Sequence, residues 1–274
     1  MSAIRDNPVL WKELRGRARG RKQTRLNRAT IVAMTALSVG ALYWFGVRGI
    51  LATEGARSAR DLFALFTIGI EVTLLLFMAP SLSAGSISQE RERQTWNALL
   101  LSRLRPSEIV WGKYLAAMLL PLGLVTLFAP LNLLAAVVAN MAAVDVILSG
   151  LHLLATLFFF SAVGLFCSWA LRRTFLSTAA AFAVTGFCVV GPPILYGLAQ
   201  VAYSGNGPYP NATDFPPFWM NPYMPIAVML ELEGREERRL VPEVGYLLFC
   251  LVGTAALLGI MTRRLARGPR ELEQ

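Results

Sequence analysis

Six long apolar stretches divide the chain: Ala29–Val47, Leu62–Leu82, Tyr114–Val138, Val146–Leu171, Phe175–Tyr203 and Val244–Met261. Each is close to, or longer than, the roughly 20 residues a helix needs to cross a bilayer. Lipid offers the backbone no hydrogen-bonding partner, so each run must close its own bonds as a helix. The pattern predicts an all-α polytopic membrane protein with six transmembrane helices. The polar stretches between the runs set their order in space. Arg48–Asp61 is a short loop, and Asn140–Asp145 is a tight turn. Arg172-Arg173-Thr174 is equally tight, so the fourth and fifth helices are predicted to be antiparallel neighbours. Pro80 and Gly85 permit a bend at the end of the second run, and the third carries Pro121 and Pro130. In the fifth, Pro192-Pro193 removes two backbone donors and predicts a kink.

Three segments lie outside this 29–262 transmembrane unit or interrupt it. Residues 1–28 are strongly basic, with Asn7 as a candidate N-cap and Pro8 at the first helical position. Leu10, Trp11 and Leu14 share one side there, which predicts an elbow helix lying flat in the interface. A disordered basic arm is the alternative. Residues 204–243 form one large external loop, whose apolar piece Met224–Leu230 is too short to span and suits a re-entrant or interfacial helix. Residues 263–274 form a tail.

Composition agrees with the pattern. The chain is 55% hydrophobic and 16% charged, with a mean hydropathy of +0.52, which excludes an ordinary soluble domain. A net charge of +9 would suit nucleic acid, so the placement of the charge decides. With the N-terminus inside, 20 of the 26 Lys and Arg residues fall on cytoplasmic segments and 6 outside. That asymmetry is the positive-inside rule, and it puts both termini in the cytoplasm and nucleic acid aside. The polar stretch of 28 residues before the first run is too long for the n-region of a cleavable signal peptide. Cys167, Cys188 and Cys250 all lie within apolar runs and read as packing residues.

Little catalytic chemistry is visible. One His is too few for a zinc hydrolase, and no Gly-x-Ser-x-Gly elbow occurs. Gly112-Lys113 lacks the rest of a phosphate loop: Ser107 stands where Gly is needed and Tyr114 where Ser or Thr is needed. The chain is read as no enzyme, with no metal and no cofactor of its own. Two ionisable residues other than Cys and Tyr lie inside the apolar runs, Glu71 and His152, each near mid-membrane depth. Such residues are expensive and mark a possible polar site on a transport path. A buried hydrogen bond to a neighbouring helix is the plainer reading.

The most informative stretch is Gly85–Lys113, GSISQERERQTWNALLLSRLRPSEIVWGK, between the second and third runs. Four charges in succession, Glu90, Arg91, Glu92 and Arg93, lead into Trp96, Leu99 and Leu100, the pattern of a charged turn followed by a short amphipathic helix. Ile87-Ser88, Glu90-Arg91-Glu92, Thr95, Leu99-Leu100, Pro106, Glu108-Ile109-Val110 and Gly112-Lys113 fall in the order found in one known loop. It resembles the first cytoplasmic loop of ABC transporter permeases of the type 2 export class. The Asn7-Pro8-Val9-Leu10 and Lys12-Glu13-Leu14-Arg15 segments resemble the elbow that opens many of them. The chain departs from the pattern at Gln94, where the family often has Gly, and at Arg103-Leu104, where Thr-Pro is common.

The resemblance implies a coupling helix in this loop that docks an ATPase through Ser88, Glu90, Arg91, Glu92, Arg93, Thr95, Trp96, Leu99 and Leu100. It implies a second permease copy or related chain, two ATPase subunits that alone hold Mg-ATP, and a bacterial inner-membrane location. It also implies a short external helical hairpin between the fifth and sixth spans. Two other functions remain open: an ATP-independent channel or secondary transporter using Glu71 and His152, and a membrane anchor for a partner of the basic arm.

Overall fold

The computed structural model describes Val9, Trp11, residues 65–101, 104–203, 216–223 and 236–267, and Pro225. The predicted first span Ala29–Val47, the loop Arg48–Asp61, most of the basic N-terminal segment, most of Met224–Leu230 and the end of the tail lie outside the described residues. Within them the chain is helical, without strands. A π-helical turn, Leu65–Val72, runs into α1 (Thr73–Ala84). Two short helices follow, α2 (Ser88–Glu92) and α3 (Trp96–Leu100). The long helices are α4 (Pro106–Val138), α5 (Ala143–Ala170), α6 (Thr174–Tyr203) and α7 (Glu236–Ala266). A 3-10 turn at Pro216–Met220 precedes α7.

Among the described residues five helices are long and apolar enough to cross a membrane. They match the second to sixth predicted spans. The turns also fall where the sequence puts them: α5 ends at Ala170 and α6 begins at Thr174. Asn140 takes a positive φ of 51° in the turn before α5. Residues 236–243, read from the sequence as loop, form the first two turns of α7. The helix α6 continues through Pro192 and Pro193.

At the centre lies α5, packed against α1, α4, α6 and α7. Its sequence explains why. Small residues (Ser161, Ala162, Gly164, Ser168) alternate with Leu157, Phe160 and Leu165, all buried. At Gly164 the backbone of α1 comes so close that an added Cβ would lie 2.8 Å from the Pro80 carbonyl and strike the Ser83 side chain. Without a hydrophobic drive between helices in lipid, close approach over small residues is what lets them associate. Gly253 on α7 serves the Phe159 ring in the same way, and Phe159 also meets Phe249 with ring centroids 4.9 Å apart.

Burial separates inner from outer helices. Over half of the apolar window is buried for α1 and α5 (56% each), against 22% for α6 and α7. Accordingly Phe187, Val190, Ile194 and Leu198 of α6 and Leu248, Leu251 and Val252 of α7 face outward. An apolar surface of this extent is stable only against lipid or another apolar surface.

Candidate functional site

The charged loop is built into the bundle. Ile87 and Ser88 open α2, where the first N–H groups of a helix have no partner of their own. Both donate to the Ser168 Oγ of α5, at 2.8 and 2.9 Å. Ser88 Oγ donates to the Ala84 carbonyl at 3.1 Å, and Ser177 of α6 donates to the same oxygen. Serines from two neighbouring helices thus complete the end of α1 and the start of α2.

Each charge of the Glu90-Arg91-Glu92 triplet has an identifiable task. Glu90 Oε1 lies 3.1 Å from the Nζ of Lys113, whose side chain is fully buried. Lys113 also donates to the Ser86 carbonyl at 2.7 Å. Arg91 Nη1 donates at 2.8 Å to the Trp169 carbonyl, one of the last of α5, and its guanidinium carbon sits 5.6 Å from the Trp96 ring centre. Glu92 Oε1 accepts the Thr174 N–H, the first of α6, at 2.7 Å. A cation at a helix C-terminus and a carboxylate at an N-terminus both suit the helix dipole. Adjacent residues of opposite charge therefore fit the two ends of the α5–α6 turn.

The other motif residues sort by burial. Trp96 is 4% exposed and joins Ile87 and Leu99 in the main core, with Leu100 packed against it. Pro106 opens α4, and the Glu108 carboxylate accepts the Arg105 N–H at 3.0 Å, closing the cap. Arg93, Gln94, Thr95, Asn97, Ala98 and Leu101 are exposed. Gln94, the departure from the family pattern, has φ 58°, a left-handed backbone that glycine adopts at least cost. Of the residues expected to dock, Ser88, Trp96 and Leu99 are therefore buried, Glu90, Arg91 and Glu92 bond to the bundle, and Arg93 and Thr95 face outward. Of the predicted elbow, Val9 is buried in the main core and Trp11 is exposed.

The two intramembrane residues are not brought together. Glu71, fully buried in the π-helical turn, accepts the Asn132 Nδ2–H of α4 at 2.9 Å. Its second oxygen and the Asn132 carbonyl oxygen have no partner among the described residues. His152 instead meets Glu243 of α7, with Nδ1 at 3.0 and 3.2 Å from the carboxylate oxygens, and its Nε2 is 2.8 Å from the Pro222 carbonyl. A carbonyl can only accept, so Nε2 carries a proton, and one further proton joins Nδ1 to the carboxylate. The Tyr246 ring stacks on the imidazole at 4.3 Å, and its hydroxyl bonds Thr156 at 2.8 Å.

Besides Glu71, the sequence shows no carboxylate at the depth of His152. Glu243 was missed because it stands just outside the apolar run, yet α7 begins at Glu236 and carries it about 10 Å along the helix. Pro222 was missed because it belongs to a loop. Asn221 Nδ2 fixes that loop by donating to the Val189 carbonyl at 2.7 Å, and the Tyr223 hydroxyl bonds Thr73 at 3.0 Å.

Five membrane-length helices among the described residues, gathered around the buried α5 with a charged loop knitted into their ends, define an all-helical membrane protein. The family model of the ABC-2 type transporter matches residues 8–203, well over half of the chain, and the chain belongs to that family of ABC transporter permeases. The matched region runs from the basic segment to the end of α6 and includes the whole loop. No curated protein matches the chain.

Proposed function

We propose that the chain is the membrane half of an ATP-driven exporter, and that its charged loop takes up the movement of a separate ATPase. The observation that carries this reading is the division of labour within the loop. Its buried and charged residues grip α4, α5 and α6 through Lys113, Ser168 and Thr174, while Arg93, Thr95, Asn97, Ala98 and Leu101 face solvent. A push on the outer face is passed to three long helices at once. In this reading Ser88, Glu90, Arg91, Glu92, Trp96, Leu99 and Leu100 transmit the movement, and Arg93 and Thr95 belong to the docking face.

The loop lies in the cytoplasm with both termini, two ATPase subunits hold the Mg-ATP, and the outward apolar faces of α6 and α7 meet lipid or a second permease copy. The membrane is the bacterial inner membrane. A channel built on Glu71 and His152 has less support, because the two residues bond to different partners.

The test uses the outward positions. Ala98→Arg with Leu101→Asp should leave the thermal unfolding of the purified permease unchanged. The same variant should lose the Walker-containing ATPase that co-purifies with the wild type. Undiminished retention of that ATPase would remove the loop from the docking surface.

A further inference from the structure

Beside the loop the protein surface opens into a cleft of about 300 Å³. Its walls come from both sides of the loop contact: Arg91, Glu92, Trp96, Asn97 and Leu100 from α2 and α3, and Arg172 from the α5–α6 turn. Resting on the function proposed above, we infer that this cleft receives an acidic side chain of the ATPase subunit.

Charge decides the sign of the occupant. The one carboxylate in the wall, Glu92, is turned to the Thr174 N–H and holds the start of α6. Arg172 is exposed and forms no hydrogen bond or ion pair among the described residues. Arg91 brings a second guanidinium to the same wall, already fixed by the Trp169 carbonyl and the Trp96 ring. Two cations against one carboxylate, itself held at the Thr174 N–H, leave the cleft with a net positive charge. A guanidinium matches a carboxylate with two parallel N–H bonds, which gives direction as well as attraction.

The rest of the lining fits a side chain of that kind. Trp96 and Leu100 offer an apolar wall for the methylene stem of Asp or Glu. Asn97, exposed on α3, can donate to a second carboxylate oxygen. The cleft also joins two parts that must move together. Its walls belong to the loop and to the α5–α6 turn, so an occupant held by Arg172 and Asn97 bears on both. The outward face of α3 gives the ATPase its footing, and the cleft fixes the register.

The experiment uses the full permease and the Walker-containing ATPase that co-purifies with it. Retention of that ATPase on tagged permease is measured against salt for the wild type, Arg172→Glu and, as a charge control at the end of α7, Arg263→Glu. Arg172→Glu should weaken retention at least tenfold, and Arg263→Glu should not. Reversing one Asp or Glu of the ATPase to Arg should restore binding to Arg172→Glu alone. Equal retention by the wild type and Arg172→Glu would overturn the cleft and leave the proposed function standing. A wild type that retains no ATPase would remove both. Loss of binding to phosphatidylglycerol vesicles by Arg172→Glu, with ATPase retention unchanged, would assign the cleft to lipid headgroups and overturn the inference.

Discussion

Two polar contacts sit on α5, one at Ser168 and one at His152, about 24 Å apart along the helix. They do similar structural work with different materials. At the loop end, hydroxyls and charges meet backbone groups left over at helix termini, and Arg91, Glu92, Trp169 and Thr174 all reach the surface. At the opposite end an imidazole, a carboxylate and a phenol are sealed together, with His152, Glu243 and Tyr246 fully buried. The difference teaches how each end responds to load. A contact built from several partly exposed bonds can yield one bond at a time. A buried, mutually bonded pair holds or fails as a unit, because either partner alone is stranded in a dry interior.

The largest effect is therefore expected at the sealed end. Glu243→Leu should cost about 3–5 kcal/mol, since it leaves His152 buried without its carboxylate. Thermal unfolding of the purified permease in detergent reads this directly. Adding His152→Leu to Glu243→Leu should recover part of the loss, the signature of a coupled pair. If Glu243→Leu unfolds with the wild type, the two ends do not differ in the way described.

Ser168→Ala should act more locally. It strands the Ile87 and Ser88 amides, at about 1–3 kcal/mol for each buried donor left unpaired. The measurement that separates it from the sealed end is trypsin cleavage at Arg91 and Arg93. Cleavage should accelerate in Ser168→Ala and stay at the wild-type rate in the His152→Leu and Glu243→Leu double variant. Acceleration in both would merge the two regions into one cooperative unit.

The smallest effect is expected at Gln94. Gln94→Gly relieves a left-handed backbone and should stabilise the loop by up to about 1 kcal/mol. Gln94→Val should do the reverse, because a branched side chain fits that region worst. Slower trypsin cleavage in the valine variant would show that the turn changes conformation to escape the strain.

The long helices and their turns could be read from the chain because their cause is local. An apolar run must become a helix in lipid, and a tight polar turn makes neighbours of the runs it joins. The loop was legible as a motif, but the direction of its charges was not. Glu90, Arg91 and Glu92 look like a solvated surface in the sequence. Their partners, the buried Lys113, the Trp169 carbonyl and the Thr174 amide, come from three different helices, α4, α5 and α6, and only folding brings them to one spot. Gln94 shows the converse. A glycine position in a family pattern carries information about backbone angle even in a chain that has lost the glycine. Glu243 escaped because reading by apolar runs stops where hydropathy falls, whereas the helix continues two turns beyond.

The crossing at Gly164 has a mechanical consequence. With the backbones of α1 and α5 in contact, neither helix can slide or roll without driving the other, so the pair behaves as a single stiff beam. Its two polar contacts lie about 24 Å apart, and a tilt of about 5° imposed at the loop would swing the far one sideways by about 2 Å. A displacement of that size exceeds the tolerance of a hydrogen bond, so the beam could break the His152 contact without bending. Adding a single methyl group, Gly164→Ala, would wedge its two halves apart.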